Sequence, residues 1–145
     1  MSNEFVYTTY IKSTPEKVWA AITNPEFTRQ YWGHSNVSDW KKGSKWQHVS
    51  TKDDAVNIEG EVLESTPTTR LVVSWYSPNN KDDVSRVTYQ IEAVDGRVKL
   101  HVTHAELTKG SKMEVGISKG WPLVLSSLKS FLETGVGFDI WAQAD

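Results

Sequence analysis

Residues 84–107 read VSRVTYQIEAVDGRVKLHVTHAEL. Apolar side chains recur at every second position on both sides of the Asp95-Gly96 pair, which is the pattern of a strand with one buried face. Asp and Gly both tolerate a positive φ, so this pair between two alternating runs is a strong signal for a tight turn. The stretch therefore predicts an antiparallel hairpin formed by strands 84–94 and 97–107.

The same two-residue period continues upstream of this hairpin, where turn residues such as Thr66-Pro67 interrupt it. Strands that follow one another this closely pair as an antiparallel meander. A glycine in the middle of one run, Gly60, indicates a bulge or bend where the sheet curls. The further predicted strands are 4–12, 36–40, 44–51, 56–64 and 69–77.

Strand parity indicates which side chains face the interior, because the apolar-rich face of a half-buried strand packs on the core. Glu59, Glu61 and Glu64 fall on the outward face or at a strand end, so no carboxylate is expected in an apolar pocket. The faces assigned to the interior comprise Trp46, His48 and Ser50; Val56, Ile58, Gly60 and Val62; Leu71, Val73 and Trp75; Val87, Tyr89 and Ile91; and Val98, Leu100, Val102 and His104.

Two short helices are predicted between the first and second strands. Thr14 followed by Pro15 is a helix-start signal, because the proline at the first helical position lacks an N–H that the helix would leave unpaired. Asn24 and Pro25 repeat this pattern and start a second helix before Gly33.

The last third of the chain changes to a helical period. Pro122 is tolerated in a first helical turn or as a kink after Gly120. The regular helix is therefore expected to begin near Ser118, after a looser turn, and Gly135 is expected to end it. The apolar stripe at spacings of three and four consists of Ile117, Trp121, Val124, Leu125, Leu128 and Leu132.

This order of elements predicts one α+β domain over residues 1–145, with a curved antiparallel sheet of about seven strands around a long C-terminal helix. The two short helices then cover one end of the sheet. A space between sheet and helix is a suitable place for an apolar ligand. The seven tryptophans fit either an aromatic core or the lining of such a cavity.

Composition narrows the classes of function. The chain has 145 residues, no cysteine and a net charge of −2 without a basic stripe, which argues against disulfides, thiolate metal sites and nucleic-acid binding. No apolar run approaches the length of a membrane span, and the N-terminus lacks a signal-peptide pattern. We expect a cytoplasmic protein.

Motif patterns that would indicate catalysis or metal binding are weak. Residues 116–120 match G-x-S-x-G, but a nucleophile elbow needs a histidine later in the chain, and the last one is His104. His101 and His104 lie three apart on a strand and therefore point to opposite faces. The sequence thus predicts no catalytic site, no metal site and no cofactor.

Several segments resemble one known family. They are Ser13–Ile22, Gly60–Glu64, Arg70–Trp75, Val102–His104, Gly120-Trp121 and Leu128–Gly135. Together they are similar to the family of the activator of heat-shock protein 90 ATPase, within the START-like helix-grip superfamily. The resemblance implies a helix-grip fold with an apolar cavity. Members of the superfamily include lipid and sterol carriers, cyclases and co-chaperone domains.

The resemblance implies a carrier or sensor of a small hydrophobic or aromatic molecule, with lipids among the candidates. The ligand-binding side chains are expected to be Trp46, His48, Trp75, Tyr89, His104, Trp121, Val124 and Leu128. A purely structural role, in which His48 and His104 are core histidines with their hydrogen bonds satisfied, stays open.

Two alternatives are also open. In the first, a cyclase-type enzyme uses His48 or His104 as acid or base. In the second, the chain is a co-chaperone-like domain with a protein partner, in keeping with a stress-response role.

The apolar tail after Gly135 contains Phe138, Ile140 and Trp141, and we expect it either to fold back on the sheet or to bind a second chain. A monomer or weak dimer is expected.

Overall fold

The computed structural model describes residues 2–138 and 140. Seven strands and three helices make an α+β fold in which a long C-terminal helix packs on a curved antiparallel sheet. Their bounds are β1 Ser2–Ile11, α1 Pro15–Thr23, α2 Pro25–Trp32, β2 His34–Val37, β3 Lys45–Ser50, β4 Val56–Thr66, β5 Arg70–Ser77, β6 Asn80–Val94, β7 Arg97–Thr108 and α3 Lys112–Thr134.

The sheet has the strand order β1-β7-β6-β5-β4-β3-β2, so every strand after β1 pairs with its neighbour in sequence. The predicted hairpin is confirmed: Val94 pairs with Arg97, and the two turn residues Asp95 and Gly96 have φ of 49° and 80°. Strand β1 closes this side of the sheet by pairing with β7. The predicted meander and fold class are therefore confirmed.

The two short helices start at the predicted caps. The Thr14 hydroxyl accepts a hydrogen bond from the Lys17 N–H at 3.3 Å, and Asn24 Oδ1 accepts one from the Glu26 N–H at 2.9 Å. Gly33, with φ of 75°, ends α2 in the left-handed conformation. The chain then enters β2 at once, two residues before the predicted start at residue 36, and ends it before residue 40.

The expected start of α3 near Ser118 is wrong. The helix begins at Lys112, because the Ser111 hydroxyl accepts a hydrogen bond from the Glu114 N–H at 3.1 Å and caps it. Pro122 therefore lies inside the helix, where it removes the N–H that would donate to the Ser118 carbonyl. Gly135 ends the helix as predicted, with φ of 87°.

Burial alternates along the central strands as the parity argument predicts. Trp46, Val73, Val87 and Leu100 are all nearly inaccessible, and α3 covers this inner face with Trp121, Leu125 and Leu128 among other side chains. Within the described residues, none of the helices is long and apolar enough to cross a membrane.

Two expectations about β4 are corrected. Glu59 is buried, since its carboxylate accepts a hydrogen bond from the Tyr76 hydroxyl at 3.1 Å and lies 3.6 Å from Lys45 Nζ. The pairing of this strand shifts register between Val62 and Glu64 and also opposite His48 and Val49, and in neither case at Gly60. Gly60 is required for a different reason: a Cβ there would lie 1.9 Å from the Ser74 carbonyl oxygen.

Candidate functional site

A cavity of about 980 Å³ lies between the sheet and the N-terminal half of α3. Its walls come from α2, from β2, β3, β4 and β5, from α3 and from the segment that follows α3. Three indoles form most of its aromatic lining: the ring centre of Trp121 lies 5.4 Å from that of Trp32 and 5.7 Å from that of Trp75. Such rings present broad apolar faces to a ligand.

The helix side of the cavity is apolar and adaptable. Met113, Ile117 and Val124 project from α3 at helical spacing and line the cavity. The Trp75 indole N–H donates to Met113 Sδ at 3.3 Å, so this ring is oriented by a soft, flexible partner. Gly116 and Gly120 keep the helix surface between these side chains free of bulk.

The polar part of the lining includes a pair of stacked imidazoles. The rings of His34 and His48 lie 3.9 Å apart and are parallel within 6°. Their positions follow from the pairing of β2 with β3, in which Asn36 stands opposite His48 and His34 opposite Ser50. Both residues are part of the cavity lining.

Hydrogen bonds fix the tautomer of each ring. His48 Nδ1 donates to Asn36 Oδ1 at 2.5 Å, so Nε2 of His48 carries a lone pair and not a proton. His34 Nδ1 donates to the Trp32 carbonyl at 3.4 Å, and its Nε2 accepts from the Asn57 amide at 3.0 Å. His48 Nε2 is therefore an acceptor on a ring that lines the cavity.

Burial keeps both rings neutral. It lowers the pKa of His48 well below the usual histidine value, and the nearby charge of protonated His34 would lower it further. The pKa of His34 is also lowered, mainly by burial. The pair can accept a hydrogen bond or a proton, whereas no carboxylate contacts the Nδ1 of His48 to increase its basicity as in a catalytic dyad.

His104 is a satisfied core residue. Its Nδ1 accepts a hydrogen bond from the Trp121 indole N–H at 3.1 Å, and its Nε2–H donates to the Ser85 hydroxyl at 2.7 Å. That hydroxyl in turn donates to the Trp75 carbonyl at 3.1 Å. Burial lowers the pKa of His104 to about 3, so this chain of hydrogen bonds consists of neutral groups.

The structure separates the predicted site residues into two groups. His48, Trp75, Trp121 and Val124 line the cavity. The other four, Trp46, Tyr89, His104 and Leu128, are packed in the core beneath it. Trp46 donates its indole N–H to the Ser74 carbonyl at 2.8 Å, and Tyr89 meets Trp121 edge to face at 5.9 Å. Ligand contact by any of the eight stays a prediction.

Sequence reasoning missed His34, Asn36, Asn57 and Met113. The signal for the first two was available in principle, because a strand starting at His34 would have placed both on the inner face of β2. Met113 was missed because the helix start was placed too late. Asn57 reaches His34 across the sheet, and nothing in the local sequence pattern indicates that contact.

Metal binding lacks support in the part of the chain that the structure describes. No three histidine, aspartate or glutamate side chains there come close enough to hold an ion, and the sequence has no cysteine.

The segment after α3 folds back toward the cavity: Gly137, Phe138 and Ile140 line it. Trp141, which the sequence also marks in this tail, lies outside the described residues.

Comparison with known families agrees with this geometry. The sequence model of the family described as activator of Hsp90 ATPase homolog 1-like protein matches residues 12–133. The chain belongs to this family. The resemblance seen in the sequence segments is thereby confirmed, whereas the comparison with curated protein sequences finds no match.

Solved structures of this fold cover nearly the whole chain. An Hsp90 activator from Plasmodium falciparum is 25% identical, with a TM-score of 0.75 over 89% of this chain and 95% of that one. A Cytophaga hutchinsonii protein is 29% identical, with a TM-score of 0.71 over 90% and 93%. The Aha1 dimer from Colwellia psychrerythraea is 20% identical, with a TM-score of 0.78 over 93% and 99%, and shows likeness of fold alone.

Proposed function

We propose that this member of the activator of Hsp90 ATPase homolog 1-like family binds a small hydrophobic or aromatic molecule and acts as a carrier or sensor. The observation that supports the proposal is the cavity of about 980 Å³ walled by Trp32, Trp75 and Trp121. Ligand pockets are mostly apolar with a few placed polar groups, and His48 Nε2 supplies such a group here.

The positions of the tryptophan side chains support the proposal, because some pack in the core whereas others line the cavity. Trp46 is enclosed, and its indole N–H is satisfied by the chain itself. Trp75 and Trp121 are also satisfied, yet each presents part of its ring to the cavity. Rings whose polar groups are already paired offer a ligand apolar surface without leaving a buried donor unpaired.

A blocked cavity tests the proposal. Gly116 lines the cavity, and a Cβ built there meets nothing within 4 Å, so Gly116→Phe places a ring in the open space. Val115→Phe is the matched control, because Val115 is exposed on the same helix and lies outside the lining. Naphthalene derivatives, sterols and fatty acids are screened by thermal shift, since binding to the native state raises Tm by mass action.

The expected result is a rise in Tm for aromatic compounds with the natural sequence and with Val115→Phe, and none with Gly116→Phe. If no compound class raises Tm with the natural sequence, ligand binding is rejected. An equal rise with both variants would place binding outside the cavity and would also reject the proposal.

The comparisons favour a second candidate, a co-chaperone function. The Plasmodium falciparum relative is named as an Hsp90 activator, and the family carries that description. Under this candidate the chain stimulates the ATPase of an Hsp90-type chaperone. Stimulation that is equal for the natural sequence and for Gly116→Phe would support it as a function independent of the cavity, and no stimulation at any ratio of the two proteins would reject it.

A further inference from the structure

Among the described residues of the cavity wall, His48 carries a ring nitrogen that accepts no hydrogen bond. His48 Nδ1 is held by Asn36, and within the described part of the chain no group donates to His48 Nε2. Covering this acceptor without pairing it is costly, so a ligand that donates a hydroxyl or N–H at this point is favoured over one that does not. The acceptor is flanked by Trp32 and Trp75, whose ring centres lie 4.8 Å and 6.0 Å from that of His48.

The mouth of the cavity carries positive charge. Lys52 comes from the turn between β3 and β4, and Lys112 is the first residue of α3, so the two approach from the sheet side and the helix side. Neither has an ion-pair partner within 4.0 Å among the described residues. Arg29, from α2, also lines the mouth but is 3.6 Å from Glu26.

Among the described residues, the carboxylates closest in sequence to these two lysines, those of Asp53 and Glu114, lie outside the cavity lining. Among the described lining residues there is no aspartate or glutamate. Glu114, two residues after Lys112 in α3, accepts hydrogen bonds from the Asn3 side chain and the Gly110 N–H and is held toward β1. Asp53 follows Lys52 in the turn but is not part of the lining. A mouth lined by one sign of charge attracts ligands of the opposite sign.

We propose, building on the proposed function, that the cavity takes a hydroxylated aromatic carboxylate. Its ring system lies among the three indoles, its hydroxyl donates to His48 Nε2, and its carboxylate faces Lys52 and Lys112. Planar rings suit this lining better than a flexible chain, because offset and edge-to-face contacts with Trp32, Trp75 and Trp121 reward a flat, rigid partner.

Four naphthalenes separate the contributions of the two polar ends. They are 6-hydroxy-2-naphthoate, 2-naphthoate, methyl 6-hydroxy-2-naphthoate and methyl 2-naphthoate, with or without the hydroxyl and with or without the charge. Their Kd values are measured by isothermal titration calorimetry at low and high salt. The charged compounds are expected to bind about two- to fivefold tighter per lysine, and the hydroxyl to add about two- to tenfold.

Single substitutions test which residue causes the preference for the carboxylate and which causes the preference for the hydroxyl. Lys112→Ala is expected to reduce the preference for carboxylate over ester and to leave the preference for the hydroxyl unchanged. Lys119→Ala is the matched control, because Lys119 is exposed on the same helix and does not line the cavity. His48→Leu is expected to remove the hydroxyl preference alone. High salt is expected to weaken the carboxylate preference, because exposed charges are screened.

The outcomes distinguish this inference from the proposed function. If all four compounds bind equally well to the natural sequence and none binds to Gly116→Phe, the cavity binds aromatics, but the inference about hydroxyl and carboxylate is overturned. If none of the four binds to the natural sequence, the inference is overturned together with cavity binding of aromatics of this size. Equal loss with Lys112→Ala and Lys119→Ala would also overturn it.

Discussion

The indole N–H of Trp121 donates a hydrogen bond to Nδ1 of the fully buried His104 over 3.1 Å. This bond joins α3 to the inner face of β7, and Ser85 extends the chain of hydrogen bonds to β6 and β5. The hydrogen bond to His104 therefore fixes the position of the Trp121 ring, which is part of the cavity lining. His104 is better described as a support of the cavity than as a ligand contact.

Substitution of His104 is expected to destabilise the fold. His104→Leu keeps the approximate volume but leaves the Trp121 N–H without an acceptor, and an unsatisfied buried donor costs about 1–3 kcal/mol. Urea unfolding measures the loss. His101→Leu is the matched control on the same strand, where the partner Thr8 is near the surface, and it is expected to cost about 0.5 kcal/mol. Equal costs for the two variants would contradict the account.

Alanine is expected to have opposite effects at two glycines. At Gly60 a Cβ would lie 1.9 Å from the Ser74 carbonyl oxygen and 2.7 Å from Trp46 Nε1, so Gly60→Ala forces β4 and β5 apart. We expect a loss of more than about 3 kcal/mol or failure to fold. Gly116→Ala meets no atom within 4 Å and is expected to stabilise α3 by about 0.5–1 kcal/mol. Thermal unfolding of both variants checks the signs.

Stability is expected to fall as the solution becomes acidic. Burial lowers the pKa of His104 to about 3, whereas a histidine in the unfolded chain titrates near 6.5. Between these values the unfolded state binds a proton that the folded state does not, so the free energy of unfolding decreases by about 1.4 kcal/mol per pH unit as pH falls. His48 and His34, whose pKa values are also lowered, add to this slope.

Urea unfolding between pH 7.5 and pH 5 measures that slope, and imidazole NMR signals follow the folded state. His104→Leu is expected to reduce the slope by about the contribution of one proton. A His104 signal in the folded protein that titrates near the ordinary histidine value would show that the ring is not held neutral and would contradict the account.

The segment after α3 is expected to depend on one serine. Buried Ser127 accepts a hydrogen bond from the Phe138 N–H at 2.9 Å and donates to the Phe138 carbonyl at 3.1 Å. Ser127→Ala removes both bonds, so hydrogen exchange of the Phe138 amide should accelerate about fivefold or more, which corresponds to about 1 kcal/mol. Exposed Ser126→Ala is the control. Unchanged exchange in Ser127→Ala would show that other contacts hold this segment.

The strands and the two short helices could be predicted from the sequence because their signals are local. Alternation fixes which face of a strand is buried, and the Asp95-Gly96 turn fixes the register of β6 against β7. Capping by Thr14 and Asn24 is likewise decided within one helical turn.

Other features could not be predicted, because they depend on competing local signals or on contacts between residues far apart in the sequence. Pro122 alone does not locate the start of α3. The Ser111–Glu114 pattern of a capping box starts the helix, and burial of the apolar face compensates for the hydrogen bond lost at Pro122. Burial of Glu59 follows from Tyr76 on the next strand. The stacking of His34 on His48 needs the exact register of β2 against β3, which residue patterns do not specify.

The cavity itself could be predicted only as a region. Parity placed His48 and Trp75 on the inner face, but it placed Trp46 and Tyr89 there as well. Which inward side chains meet open space depends on where α3 lies along the sheet. The glycines at 116 and 120 leave that space beside Trp75, whereas Leu128 fills it further along the helix.

The central claim, that this cavity admits an aromatic ligand, is tested most directly by the indole N–H signals in a ¹H–¹⁵N NMR titration with 6-hydroxy-2-naphthoate. The account predicts saturable shifts of the Trp75 and Trp121 signals, which belong to rings that line the cavity. The signal of Trp19, which lies in α1 outside the lining, should stay in place. Unmoved Trp75 and Trp121 signals at saturating probe, or an equal shift of Trp19, would contradict the claim.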